Sequence, residues 1–188
     1  MAFNERKAAQ MAAFFLHQGG GKLEVLKLMK LLYLADRQAM DWYEQPISGD
    51  RMVSMPNGPV LSRTLDLMNG SRPTVEDGWQ CWVADRESYE VALQPCHLEN
   101  GELYLGALSQ AEIEVLNAVW ADFGGMGKYD LVDYTHDRCA EWKDPCGSSR
   151  PISYADVFLA LGRDGGQAEE AAQALEGQDT VDRIFASL

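Results

Sequence analysis

Lys27-Leu28-Met29-Lys30-Leu31-Leu32-Tyr33-Leu34-Ala35-Asp36 decides how the rest of this chain must fold. Its apolar residues recur at the three- and four-residue intervals of a helix face, and the pattern continues to Leu23 and Leu26 upstream and to Ala39 and Met40 downstream. It predicts one helix from about Lys22 to Tyr43, ended before Pro46 because the residue preceding a proline is pushed out of helical backbone. A helix this apolar belongs at the centre of a core. Asp36 is the polar residue caught on its inner side, since its neighbours at i±3, i±4 and i±7 are Tyr33, Ala39, Leu32, Met40, Met29 and Tyr43. A buried carboxylate must be hydrogen-bonded or paired, and the candidate partners are the Tyr33 or Tyr43 hydroxyl, a backbone N–H of the turn at Gly58, or His136. Lys27, Lys30, Arg37, Asp41 and Glu44 fall on a separate, charged stripe.

Outward from that helix, glycine and proline divide the chain into short segments. Asn4 is placed to cap a first helix reaching about His17, which Gly19, Gly20 and Gly21 end. Met52 to Met55 reads as a short extended piece stopped by Pro56-Asn57-Gly58-Pro59. A helix from about Val60 to Met68 is expected to follow, with Pro59 presetting its first φ. Trp79 to Ala84 and Tyr89 to Leu93 alternate like two strands, with Leu103 to Leu105 a possible third. Ser109-Gln110-Ala111-Glu112 has the form of a capping box before Ile113, Leu116, Val119, Trp120 and Phe123. Further helices are predicted over Tyr129 to Arg138, from Ser153 to Leu161, and along the tail from Gly165, broken near Gly177. The expected architecture is a mainly helical α+β fold: a compact helical domain with a small antiparallel sheet or hairpin and a C-terminal helix. It divides into residues 1–150 and a helical extension, 151–188, packed on that domain or on a partner.

The composition fits a chain that folds on its own: 188 residues, 46% hydrophobic, five Trp and seven Tyr. Met11 to Leu16 is too short an apolar stretch to span a bilayer, and no cleavage site follows it. Four cysteines without a secretion signal point to reduced thiols and a cytoplasmic location. The formal net charge of −13 repels phosphate backbones, so direct nucleic-acid binding is disfavoured, and the same charge suits docking on a basic protein.

Three blocks resemble a known family. Lys27 to Ala35 is similar to the K-L-x-K-L-L-Y-x-A signature of the Panacea antitoxin domain, which includes the SocA-like and GepA-like antitoxins. Asn57-Gly58-Pro59-Val60 looks like that family's x-G-P-V turn. Thr135-His136, with Trp142 six residues after His136, resembles its T-H dipeptide and downstream Trp. The resemblance covers residues 5 to 145, and Cys139-Ala140 stands where many relatives place a proline. It implies a bacterial or prophage antitoxin that neutralises a cognate toxin by direct protein contact and needs no cofactor. One member of the family delivers its toxin to the ClpXP protease, so an adaptor role is the alternative. It also implies a structural role for Leu31, Tyr33, Asp36, Gly58, Pro59, Thr135, His136 and Trp142.

Other chemistries find less support in the sequence. His136 and Cys139 lie three residues apart on one helical face, as a base and a thiol nucleophile would in a hydrolase, but no orienting group or oxyanion site can be identified. Cys81, Cys96, His97, Cys139 and Cys146 invite zinc, yet no C-x₂₋₄-C pair exists. Gly19-Gly20-Gly21-Lys22 lacks the spacing of a phosphate-binding loop. The candidate partner-binding residues are Lys27, Lys30 and Arg37 on the charged stripe, Asn57 in the turn, and Ile184 and Phe185 on the last helix.

Overall fold

The computed structural model describes residues 2–94, 98–99 and 102–185. Asn4 starts helix α1 (Glu5–Gln18) by accepting a hydrogen bond from the Lys7 N–H at 3.1 Å, filling one of the unpaired donors of a first turn. Gly20 and Gly21, at φ +81 and +95, reverse the chain in a backbone conformation that glycine tolerates best. The central helix starts later than its periodicity predicts. Lys22–Glu24 forms strand β1, and α2 runs Val25–Tyr43. Those first residues are extended because they pair antiparallel with β4 (Glu90–Ala92), Leu23 opposite Val91, and local periodicity carries no sign of so distant a partner.

Strands β2 (Met52–Met55) and β3 (Gly58–Leu61) form a hairpin, with Met55 opposite Gly58 and Val53 opposite Val60. Pro56 and Asn57 make its tip. Pro59 therefore lies in a strand opposite Ser54, not at a helix start, and α3 (Ser62–Met68) begins only after Leu61. The N–H groups of Arg63 and Thr64 in its first turn donate to the buried Asp50 carboxylate at 3.0 and 2.8 Å. Trp79–Trp82 is a helical turn, α4, rather than a strand. Glu5 accepts from the Trp79 N–H at 3.0 Å and so caps this turn from another helix, which sequence alternation cannot reveal. Strands β5 (Leu98–Glu99) and β6 (Glu102–Leu103) form a short antiparallel ladder.

Helix α5 (Gln110–Phe123) opens with the expected capping box, Ser109 and Glu112. Helix α6 (Lys128–Arg138) follows, then β7 (Arg150–Pro151), which adds to β2. Ser153 caps α7 (Tyr154–Ala160). Helix α8 (Gly165–Phe185) continues through Gly177 without a break. The α2 helix packs against α1, α5, α6, α7 and β3, and Phe15, Leu28, Leu31, Leu32, Tyr33, Leu116, Leu131 and Phe158 are all fully buried around it. Each such side chain contributes about 1.5–3 kcal/mol. Ile152, Val157, Phe158, Ala168 and Leu175 join the same apolar cluster, so residues beyond 150 share the core. The fold is mainly helical α+β with small antiparallel sheets. Among the described residues, no helix is long and apolar enough to cross a membrane.

Candidate functional site

The motif residues converge inside the molecule. Gly58 has φ +92, and a Cβ there would stand 2.6 Å from Thr135 Oγ1 and 2.7 Å from Lys30 Nζ. The hairpin, α2 and α6 therefore meet at a point where only glycine fits. Lys30, expected on a charged outer stripe, is fully buried, and its ammonium donates to the Pro59 carbonyl at 2.7 Å. Burial pushes its pKa down to about 7. This corrects the helical-wheel reading, and the sign was present in the sequence: Leu26, Tyr33 and Leu34 flank Lys30 at i−4, i+3 and i+4.

Asp36 is buried as expected, but by different partners. It accepts from the Ile47 and Ser48 N–H groups, both at 2.9 Å, and from the Ser48 hydroxyl, fixing the chain that leaves α2. Burial pushes its pKa up to about 7, while the Ser48 hydrogen bonds act the other way. Neither Tyr33 nor His136 reaches it. Tyr33 instead donates to Glu141 Oε1 at 2.5 Å, and Arg37 Nε donates to the same oxygen at 2.6 Å. Glu141 is a buried carboxylate that no sequence pattern singled out. Arg37, expected to face a partner, is thus engaged within the fold. Lys27 donates to the Gly124 carbonyl at 2.6 Å, which ends α5, and lies 5.7 Å from the Trp120 ring centroid.

Thr135 donates back to the Val132 carbonyl at 2.9 Å, as its helical position implies. His136 stacks on Trp142 with ring centroids 3.8 Å apart, and Trp142 Nε1 donates to the Met55 carbonyl at 3.0 Å. The T-H…W block thereby fastens the end of α6 to the hairpin. Cys139 does not have the character of a nucleophile. Burial, reinforced by Glu141, pushes its thiol up to about 12, whereas a nucleophilic cysteine needs its pKa lowered. Among the described residues, no three His, Cys, Asp or Glu side chains gather as a metal site; Cys96 and His97 lie outside them.

One surface does combine concavity with exposed aromatic rings. A cleft of about 470 Å³ is bounded by the start of α2, the hairpin tip, the loop before β4 and the start of α6. Met29, Met55 and Val60 line it, and Asn57 stands at its edge. Tyr89 and Tyr129, also in its lining, are 74% and 67% exposed. Arg86 lies 5.8 Å from the Tyr89 ring centroid and Lys128 5.3 Å from that of Tyr129, while Lys128 pairs with Glu24 at 2.5 Å. The tyrosines escaped notice in the sequence because each reads locally as an ordinary strand or helix residue. Of the expected C-terminal contacts, Ile184 is exposed, and the Phe185 side chain lies outside what is described.

Comparison with known proteins adds one finding: residues 28–143 match the family model described as antitoxin SocA-like, Panacea domain. No curated protein and no solved structure matches.

Proposed function

Since this chain belongs to the SocA-like, Panacea-domain antitoxin family, we propose that it neutralises a cognate protein toxin by binding it directly. The observation that carries the reading is the cleft beside the family motifs, with Tyr89 and Tyr129 standing out of it. Tyrosine is enriched among residues that dominate interface energies, because a rigid ring buries much area and keeps a polar tip. The buried contacts of Lys30, Gly58 and Thr135 and the half-buried Trp142 hold the hairpin and α6 in a fixed relation, so this surface is preorganised and loses little entropy on binding. The net charge of −13 favours a toxin with a basic surface, such as one that handles nucleotides or RNA. Neutralisation then follows from covering that surface.

The test is co-expression with the product of the adjoining reading frame. That product should be lethal alone and harmless beside this chain, and the two should co-purify. The Tyr89→Ala, Tyr129→Ala double variant should fold normally, weaken binding at least tenfold and fail to protect. A stable variant that still protects would remove the cleft from the interface, and the absence of any toxic companion would sink the reading. Protection that persists in cells lacking ClpXP marks a blocker, and protection lost there marks an adaptor.

A further inference from the structure

The acidic balance of the chain conceals a local exception. On the face formed by the N-terminal segment, the loop before β2, the start of α3 and the segment after it, two guanidiniums stand over one ring and a third shares a pocket with that ring. Arg63 and Arg72 place Cζ 5.4 and 5.8 Å from the Phe3 centroid. Arg51 and Arg63 line a pocket of about 230 Å³ together with Phe3, Gly49, Tyr154 and Asp179. The crowding registers electrostatically: partial burial lowers the pKa of Arg63, and Arg51 and Arg72 act in the same direction. Among the described residues, none of the three guanidiniums makes an ion pair or a side-chain hydrogen bond. The carboxylate behind them, Asp50, is committed elsewhere. It accepts from the N–H groups of Arg51, Arg63 and Thr64 and from the Thr64 hydroxyl, so it fixes the backbone under two of the arginines, and its charge offsets only part of the repulsion at Arg63.

We propose that Arg51 and Arg63, with Tyr154 on the pocket wall and Arg72 over the neighbouring Phe3 ring, form a binding site for a compact phosphate-type oxyanion, either inorganic phosphate or the phosphate of a small phosphomonoester. The planar fork of guanidinium matches paired phosphate oxygens. A dianion relieves the mutual repulsion of three cations better than a single carboxylate does, and the pocket suits a compact ion rather than a folded acidic loop. Asp179 on the wall opposes the anion and keeps the affinity weak.

The experiment titrates the intact chain with inorganic phosphate at constant ionic strength, exchanging sodium chloride for phosphate, and reads thermal stability and calorimetric heat. A saturable rise in Tm is expected, weakened at least tenfold in Arg51→Gln and to a smaller extent in Arg72→Gln, whose side chain lies outside the pocket lining. Both of these side chains are exposed and make no hydrogen bond whose loss would unfold the protein, so they decide the matter even if Arg63→Gln fails to fold. Glycerol phosphate in a parallel titration separates the sources: binding equal to that of phosphate marks a phosphomonoester site, and binding by phosphate alone marks a site for the free ion. No effect beyond chloride, or an effect unchanged in both arginine variants, overturns the proposal.

Discussion

Asp36 and Lys30 are the two charge-bearing side chains that α2 buries completely, and burial drives both to about 7 from opposite sides. Asp36 starts from 3.8, so between about pH 4 and 7 the folded chain keeps a proton that the unfolded chain has released, and stability falls as pH rises. Lys30 starts from 10.5, so between about pH 7 and 10.5 the unfolded chain holds a proton that the folded chain lacks, and stability rises with pH. Together these groups place a stability minimum near pH 7, each with a slope of up to about 1.4 kcal/mol per pH unit. Urea denaturation across pH 5 to 9.5 should show that Asp36→Asn flattens the acid limb and Lys30→Met the alkaline limb; unchanged limbs would refute the assignment. Gly58→Ala is the second test at this scale. Its φ and the two close contacts leave no room for a Cβ, so a loss of about 3 kcal/mol is expected, visible as a lower urea midpoint. The burial of Asp36 was legible because six apolar neighbours surround it at helical spacing. Its partners were not, because they are backbone groups of Ile47 and Ser48, and backbone donors look alike in every sequence.

At the scale of elements, what could be read followed from how local each cause was. The capping boxes at Ser109 and Ser153 act within four residues, and both helices start where those residues place them. Helix α4 depends on Glu5, and β1 depends on β4, so both were misread. Helix α8 shows the reverse error, in which a single glycine was given too much weight. A Cβ at Gly177 would meet nothing within 4 Å, and the helix passes through because Ala168, Ala172 and Leu175 have already anchored it. Gly177→Ala should therefore raise stability by about 0.5–1 kcal/mol through the lower entropy of the unfolded chain. A Tm that falls instead would mean that this stretch is not helical in solution.

For the whole molecule, the proposed interface was beyond sequence reading because Val25, Met55, Tyr89 and Tyr129 reach the cleft from four separate segments, each locally unremarkable. Charge, in contrast, is a global property that composition gives directly, and it yields a kinetic prediction. A molecule carrying −13 steers a basic partner over distances comparable to the Debye length, about 10 Å at 0.1 M salt and about 30 Å at 0.01 M. Association with the toxin should therefore slow by about tenfold between roughly 20 and 200 mM salt. If the proposed interface at Tyr89 and Tyr129 is the one used, the dissociation rate should change far less. Surface plasmon resonance at four salt concentrations separates the two rates. An association rate indifferent to salt would show that the partner is not basic and that the apolar cleft alone governs the encounter. A salt effect confined to dissociation would move the charged contacts from the periphery into the centre of the interface.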